Sequence, residues 1–109
     1  MKFTATDLQE VAMKAALTAG NVNPEIVDSV VVGNVFHATT DGAYIARHAT
    51  LRCGMKVATP CLSVNRLCGS GFQSVVNAAQ EISLGESQVV VTGGAENMSL
   101  APHAVRGIR

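Results

Sequence analysis

Residues 60–76 read Pro-Cys-Leu-Ser-Val-Asn-Arg-Leu-Cys-Gly-Ser-Gly-Phe-Gln-Ser-Val-Val. The segment Cys61–Asn65 has the alternating and β-branched residues of a strand, and Pro60 suits the first position of such a strand. The strand stops at a glycine-containing turn, and helical spacing of apolar residues begins at Phe72. This stretch therefore predicts a strand followed at once by a helix, with Cys68 in the turn between them.

The predicted helix continues from the turn over residues 69–84, because Gly85 supplies a C-terminal stop. A strand is predicted over Gln88–Thr92, and the tail from Ala95 to Arg109 has no clear period, so we expect a loop there. Strand, helix and strand form a βαβ unit, which predicts a parallel arrangement with a right-handed crossover. The side chains expected to face the core from this helix are Phe72, Val75, Val76, Ala79 and Ile82.

Two helices and a strand are predicted ahead of this unit. Thr6-Asp7-Leu8-Gln9 has the form of a capping box, so a helix should begin near Asp7 and end at Gly20. A strand is predicted over Ser29–Val35 and a second helix over Ala43–Cys53. The apolar stripe expected on the first helix is Leu8, Val11, Ala12, Ala15 and Ala19, and that on the second is Ile45, Ala46, Ala49 and Cys53. The fold class is therefore α/β, a sheet covered by helices.

Composition limits the possible partners. Of the 109 residues 48% are hydrophobic and 15% charged, against about 25% charged in ordinary soluble domains, which indicates a buried sheet or a surface covered by a partner. Eight basic and eight acidic residues cancel and aromatics are 4%, so a nucleic-acid partner is excluded. No apolar run approaches the roughly 20 residues that span a membrane. Three cysteines without a C-x-x-C pair indicate neither disulfides nor a metal site.

Cys68 is the candidate nucleophile on its position alone. Strand-to-helix junctions lie at the carboxyl edge of a sheet, where open α/β folds bind ligands. The unpaired amides of a helix N-terminus would stabilise a thiolate there and could hold an oxyanion, and glycines at 69 and 71 leave room for an acyl group. The alternative is a small buried thiol at a turn. A phosphate cradle or a serine nucleophile lacks its flanking motif.

Other candidate groups carry weaker signals. Cys53 and Cys61 are interpreted as core thiols, because each lies on an apolar helix face or within a strand. The three histidines, His37, His48 and His103, show no spacing typical of a metal site or triad, and none is assigned a role. Residues 93–98, Gly-Gly-Ala-Glu-Asn-Met, end a strand at the same edge as Cys68. They either line a pocket there or form a plain glycine turn, and the sequence leaves this open.

The segment Asn65–Ser74 resembles the N-x-x-C-[GA]-S-G motif around the nucleophile of the thiolase family, and its neighbours are most similar to the mitochondrial 3-ketoacyl-CoA members. The resemblance extends over nearly the whole chain in matching order and spacing, through residues 3–8, 32–35, 46–48 and 93–99. Ketoacyl synthases and hydroxymethylglutaryl-CoA synthases share a cysteine at this turn, but their flanking residues are less similar.

The resemblance implies an acyltransferase that uses coenzyme A as a substrate and needs no cofactor or metal. Cys68 would accept the acyl group of a 3-ketoacyl-CoA, release acetyl-CoA and pass the shortened chain to CoA, as in fatty-acid β-oxidation. The Cys68 backbone amide would belong to the oxyanion hole. Family membership further implies a homo-oligomer, dimer or tetramer, in the mitochondrion, with the peroxisome or cytosol as alternatives.

The resemblance also implies that parts of the family's site lie elsewhere. Its general-base histidine, second cysteine and Asn-containing motif belong to later segments, and its first strand precedes Phe3. That strand is expected to be central in a mixed sheet ordered 3-2-1-4-5, which would leave a gap between two strands of this chain. We therefore expect residues 1–109 to be a partial N-terminal domain, with the loop region starting at about 95–109, and to be inactive alone. The alternative is a non-catalytic truncated isoform that misfolds or pairs with full-length subunits.

Overall fold

The computed structural model describes residues 3–108 as an α/β structure with helices and strands in alternation. Short 3-10 turns lie at Pro24–Ile26, Gly42–Tyr44 and Met98–Leu100. The helices and strands are α1 Ala5–Ala19, β1 Ser29–Gly33, α2 Ile45–Arg52, β2 Cys61–Val64, α3 Ser70–Ser83 and β3 Val90–Gly94. The predicted fold class and the predicted order of elements are confirmed.

The sheet has the order β2-β1-β3, and both pairs of neighbours are parallel. Val31 of β1 lies opposite Leu62 on one side and Thr92 on the other. The expectation that a further strand separates two of these strands is therefore wrong. All residues of β1 are buried, and strand pairing on both sides occupies its backbone hydrogen-bonding groups, so β1 itself is central. The three strands described are all parallel, so a mixed sheet is not seen within residues 3–108.

Helices cover both faces of this sheet. On one face α1 and α2 pack against Val30 and Val32 to form the main core, in which Met13 and Ile45 are the largest fully buried side chains. On the other face lies α3, where Ser29 Oγ donates to a Glu81 carboxylate oxygen at 3.2 Å. The apolar face predicted for α2 is confirmed, since Ile45, Ala46, Ala49 and Cys53 are all buried.

The start and the buried face of α1 differ from the prediction. Its capping box consists of Thr4 and Asp7: the Thr4 N–H donates to Asp7 Oδ2 at 2.8 Å and the Asp7 N–H donates to Thr4 Oγ1 at 3.1 Å. Val11 of the predicted stripe is 67% exposed. The buried side chains are Thr6, Gln9, Met13 and Leu17. Polar residues serve on this face because Gln9 packs against the bare backbone of Gly93 in β3.

Helix α3 has the predicted extent, but its predicted core face is wrong. Phe72, Val75 and Ile82 are 68%, 52% and 49% exposed. The residues buried against the sheet are Ser70, Ser74 and Ala78. Small side chains allow the helix axis to approach the strands closely, and the Ser74 hydroxyl satisfies itself by donating to the Gly71 carbonyl at 2.6 Å. The apolar stripe that periodicity identifies is real, but it faces away from this sheet.

Strand ends also shift from the prediction, by one or two residues. β1 ends at Gly33 and not at Val35, and β3 begins at Val90 and not at Gln88. The reason at β3 is the Asp28 carboxylate, which accepts the N–H groups of Gln88 and Val89 at 2.9 and 3.0 Å in place of a strand partner. The same two bonds lower the pKa of Asp28. Within the described range, the structure has no helix of the length and hydropathy needed to cross a bilayer.

Candidate acyl-transfer site

The carboxyl ends of the three parallel strands surround one open, mainly apolar pocket of about 600 Å³. Val35 and Phe36 line it from the loop after β1, and Leu67 and Cys68 from the turn after β2. Residues 94–96 and Met98 line it from the end of β3 and the loop that follows, and Gly33, Ser70 and Gly71 complete the lining. Parallel strands bring their carboxyl ends to the same edge, so residues far apart in sequence meet here.

The turn that carries Cys68 is fixed by its own backbone. The Gly69 and Ser70 N–H groups donate to the carbonyls of Arg66 and Leu67 at 3.0 and 3.1 Å. Ser70, which is buried, accepts the Arg66 N–H at 2.7 Å and donates to the Leu67 carbonyl at 2.6 Å. Leu67 has a φ of 49°, a left-handed conformation that residues other than glycine rarely adopt. The two bonds of the Ser70 hydroxyl hold that conformation in place.

Glycines let the first turn of α3 sit directly on the sheet. A Cβ added to Gly33 would lie 2.5 Å from the Ser70 carbonyl carbon and 2.7 Å from the Gly71 nitrogen. A Cβ on Gly94 would lie 3.4 Å from the Gly71 Cα. The backbone at the N-terminus of α3 therefore packs directly against the backbone at the ends of β1 and β3, with no side chain between them. This contact sets the depth at which the Cys68 turn lies.

Cys68 itself is exposed and lines the pocket, two residues before α3 begins. The alternative of a buried thiol at a turn is therefore wrong for this residue. Because the Gly69 and Ser70 amides are used inside the turn, they are not free for a ligand. No hydrogen bond found among residues 3–108 engages the Cys68 N–H. The thiol that the sequence singled out is therefore accessible from the pocket.

The other two thiols have the surroundings of packing residues. Cys53 is buried in the main core, and burial raises the pKa of its thiol above the ordinary value. Cys61 is half-buried in β2 and its sulfur contacts the Thr59 carbonyl at 3.3 Å. The interpretation of Cys53 as a core thiol is confirmed, and Cys61 packs against the same core from its edge.

The loop after β3, which the sequence left open, does line the pocket. The Ala95 N–H donates to the Gly33 carbonyl at 3.1 Å. Asn34 Nδ2 donates to the Ala95 carbonyl at 2.8 Å, and the Glu96 carboxylate accepts the N–H groups of Val35 and Phe36. Sequence reasoning missed the loop at 34–36. The available signal was that β1, like β2 and β3, ends at this edge of a parallel sheet.

None of the histidines lies in this pocket. His37 and His103 are exposed, and His48 stacks on Tyr44 and has its Nδ1 3.3 Å from an Asp41 oxygen. The Thr39 hydroxyl lowers the pKa of Asp41, and His48 adds to this effect. Among residues 3–108, no group of His, Cys, Asp and Glu side chains is arranged to hold a metal ion.

Comparison with known sequences identifies relatives of the whole chain. The profile of the thiolase N-terminal domain matches residues 1–109. Human mitochondrial 3-ketoacyl-CoA thiolase is 59% identical over 107 residues, which are 98% of this chain and 27% of the human protein. An acetyl-CoA acetyltransferase of Cupriavidus necator is 42% identical over 108 residues, 99% of this chain and 27% of that protein.

Solved structures give the same result for the fold. The crystal structure of the human mitochondrial 3-ketoacyl-CoA thiolase in complex with CoA superposes with a TM-score of 0.96 at 58% identity, covering 99% of this chain and 27% of the human one. The Acat5 thiolase from Ascaris suum in complex with coenzyme A has a TM-score of 0.89 at 30% identity, with 97% and 28% coverage. The chain thus spans about a quarter of the length of these relatives.

Proposed function

Because the chain belongs to the thiolase family, we propose that it contributes the acyl-accepting cysteine to an enzyme that cleaves a 3-ketoacyl-CoA with CoA. The products are acetyl-CoA and an acyl-CoA shortened by two carbons, as in fatty-acid β-oxidation. The observation that carries this proposal is the exposed thiol of Cys68, held before the N-terminus of α3 in an apolar pocket. Since the chain covers 27% of its human relative, the activity of a whole thiolase is part of the proposal.

The pocket suits both halves of such a reaction. The Cys68 thiolate adds to the 3-keto carbon, and the carbonyl oxygen becomes an anion within reach of the Cys68 N–H. The bond between the second and third carbons then breaks; acetyl-CoA leaves after its carbanion takes a proton, and a thioester remains on Cys68. The CoA thiol attacks this thioester, loses its proton and regenerates the thiolate. Apolar side chains around the thiol suit the hydrocarbon part of the acyl group.

The proton transfers need positioned acid and base groups, and the one carboxylate that lines this pocket, Glu96, is engaged by the Val35 and Phe36 N–H groups. None of His37, His48 and His103 lines the pocket. Loss of a positioned acid or base typically lowers a rate by about 100-fold to 10,000-fold. We therefore expect residues 1–109 alone to turn over 3-ketoacyl-CoA poorly or not at all, and to depend on further thiolase sequence for catalysis.

A hybrid enzyme tests the proposal. Residues 3–108 replace the matching segment of human mitochondrial 3-ketoacyl-CoA thiolase, and cleavage of 3-ketooctanoyl-CoA by CoA is followed spectrophotometrically. We expect activity in the hybrid and its loss by more than about 1,000-fold in the Cys68→Ser variant, because the covalent route is removed. Cys61→Ser is the matched control and should retain activity. A folded hybrid without activity, or an active Cys68→Ser variant, would contradict the proposal.

Compartment and assembly are proposed on the same basis. The human and bovine relatives are both named mitochondrial 3-ketoacyl-CoA thiolases, at 59% and 57% identity. We propose mitochondrial residence, against peroxisomal or cytosolic residence, and assembly into a dimer or tetramer. Subcellular fractionation with an antibody to this chain, and sedimentation of the native protein, decide these two points.

A non-catalytic role is the second candidate. Exposed apolar side chains along α3 favour it, because they suit binding to another polypeptide better than contact with water. In this case the chain would bind full-length thiolase subunits without acyl transfer. Copurification with such a subunit, together with an inactive hybrid, would support this candidate over the first.

A further inference from the structure

Two of the loops that line the pocket are joined where strand pairing stops. The last backbone bond between β1 and β3 is donated by the Ala95 N–H to the Gly33 carbonyl, at 3.1 Å. The next residue, Asn34, is 3% exposed, and its Nδ2 donates to the Ala95 carbonyl at 2.8 Å. Its backbone N–H donates to the Val64 carbonyl of β2 at 3.1 Å. Asn34 thus ties together the carboxyl ends of all three strands.

Glu96 continues this connection beyond Asn34. Its carboxylate accepts the backbone N–H groups of Val35 and Phe36, the latter at 3.2 Å from Oε2. These two amides follow the end of β1 and have no strand partner there. Hydrogen bonds to a charged acceptor are roughly twice as strong as neutral ones. The carboxylate therefore replaces strand pairing over two residues that are otherwise loop.

The backbone held in this way carries apolar side chains of the pocket. Val35 and Phe36 line the same cavity as Cys68, and so does Met98 from the loop of Glu96. Phe36 and Met98 are 47% and 65% exposed, so packing alone does not fix them. The Glu96 carboxylate lies in a mainly apolar pocket, and its bonds to the Val35 and Phe36 N–H groups order the apolar wall formed by Val35, Phe36 and Met98. Without the bonds to Glu96, two free amides would face the pocket and the loop would lose its anchor.

We propose that Glu96 is a positioning residue, whose carboxylate holds the backbone of Val35 and Phe36 and so fixes the apolar wall beside Cys68. Asn34 supports the same wall through Ala95. The inference that this wall receives the hydrocarbon part of an acyl group rests on the proposed function. The inference that Glu96 holds the wall in place is independent of the proposed function.

The test measures how well the pocket accepts an alkyl group on Cys68. The chain is treated with methyl or hexyl methanethiosulfonate, and modification of each cysteine is followed by peptide mass spectrometry. The measured quantity is the ratio of the hexyl to the methyl modification rate at Cys68. In the wild-type chain we expect this ratio to be about tenfold higher than in the urea-unfolded chain, because burying roughly two methylene groups of the hexyl reagent favours its reaction by about that factor. Glu96→Ala should lose most of this preference. Glu96→Gln should restore it, because Oε1 contacts both N–H groups and the single amide oxygen of glutamine can take its place.

Two controls separate positioning from folding. Glu86→Ala removes an exposed glutamate beyond the far end of α3 and should leave the preference unchanged. Protection of Cys53, which is 7% exposed, reports that the core is intact in each variant. If Cys53 becomes reactive in Glu96→Ala, that variant has lost its core and Glu96→Asp replaces it as the test of positioning. Aspartate keeps the charge but is one methylene too short to reach both amides. We expect Glu96→Asp to lose the preference as well.

The possible failures are distinguishable. A full preference in folded Glu96→Ala or in Glu96→Asp would overturn the role of Glu96 and leave the proposed function standing. Absence of any preference in the wild-type chain would contradict an acyl pocket, and hence the proposed function. In that case hydrogen exchange at the Val35 and Phe36 amides tests the positioning role of Glu96. If these amides exchange no faster in Glu96→Ala than in the wild-type chain, the proposal is overturned. If they exchange faster by about tenfold or more, it is supported.

Discussion

Leu67 carries the local strain of the site. A left-handed φ costs an L residue roughly 1 to 3 kcal/mol, and such residues cluster where a neighbouring group must be aimed. Here the neighbour is Cys68, and the cost is offset by the two hydrogen bonds of the buried Ser70 hydroxyl. A side chain placed for packing would not need this conformation. The strain is consistent with the role that we propose for Cys68.

The three thiols should differ sharply in their reaction with iodoacetamide. Cys68 is exposed, whereas Cys53 is buried and burial raises the pKa of its thiol. The thiolate is the reactive form, so we expect Cys68 to react at least about tenfold faster than Cys53 near neutral pH. The gap should narrow as the pH rises, because the Cys53 thiol loses its proton only at higher pH. Peptide mass spectrometry over a pH series measures each rate.

The urea-unfolded chain is the reference for that experiment. There all three cysteines should react alike, since burial no longer distinguishes them. Equal rates in the folded chain would mean that the Cys68 turn and the core around Cys53 are not formed in solution. A Cys53 that reacts faster than Cys68 would contradict the structure directly.

Helix α3 packs closely on the sheet because glycines and small residues lie at the contact. Its first turn lies on the ends of β1 and β3 through Gly33 and Gly94, and its buried face consists of serine and alanine. A helix built in this way gains stability from close backbone approach more than from large buried side chains. The helix therefore tolerates change on its outer face and very little on its inner one.

Two glycine substitutions should have opposite effects on stability. Gly33→Ala places a Cβ 2.5 Å from the Ser70 carbonyl carbon, so we expect unfolding to become easier by about 2 kcal/mol. Gly71→Ala meets nothing within 4 Å and lies in α3, so it should stabilise by about 0.5 to 1 kcal/mol through helix propensity. Urea unfolding followed by circular dichroism measures both. A neutral Gly33→Ala would show that α3 can move off the sheet without cost.

Local signals predicted these elements well and their buried faces poorly. The strand, glycine turn and helix around Cys68 are encoded within about 25 consecutive residues, and the structure has them where the sequence places them. Periodicity finds an apolar stripe on α1 and on α3, but it does not say which partner covers that stripe. The face of α3 against this sheet is made of small residues, and the buried face of α1 combines the polar Thr6 and Gln9 with Met13 and Leu17.

The site was likewise predictable only in part. Cys68 and its turn follow from one continuous motif. The second wall depends on Glu96 meeting the amides of Val35 and Phe36, about 60 residues earlier in the chain. No local pattern specifies that contact, because the order of the strands brings the two loops together. The same order was expected to contain a gap between strands, and the direct pairing of β1 with β3 corrected it.

The surface as a whole is unusually apolar. Charged residues make up 15% of the sequence, and α3 presents Phe72, Val75 and Ile82 together on its outer face. Apolar patches of this kind mark contact surfaces in soluble proteins. With these side chains exposed, the chain should bind to other copies of itself when it is concentrated.

Substituting the outer face of α3 should reduce this self-association. We expect Val75→Lys with Ile82→Lys to raise the dissociation constant by at least about tenfold, because apolar area is lost and like charges face each other. Val57→Lys with Val105→Lys is the matched control, since these valines are also exposed but lie outside α3. Sedimentation velocity over a concentration series measures the effect. Equal effects of the two pairs would show that association does not involve α3.

The central position of β1 has a consequence for the order in which the protein forms. Val30 pairs with Cys61 and with Val91, so both partners of β1 follow it in the chain, the second by about 60 residues. During synthesis from the N-terminus, three consecutive valines gain a partner strand on one side when β2 has left the ribosome, and their other side stays open until β3 has followed. The pocket beside Cys68 is completed at that moment and not before. A nascent chain halted ahead of β3 therefore carries the nucleophile without its second wall, together with an open strand that chaperones recognise.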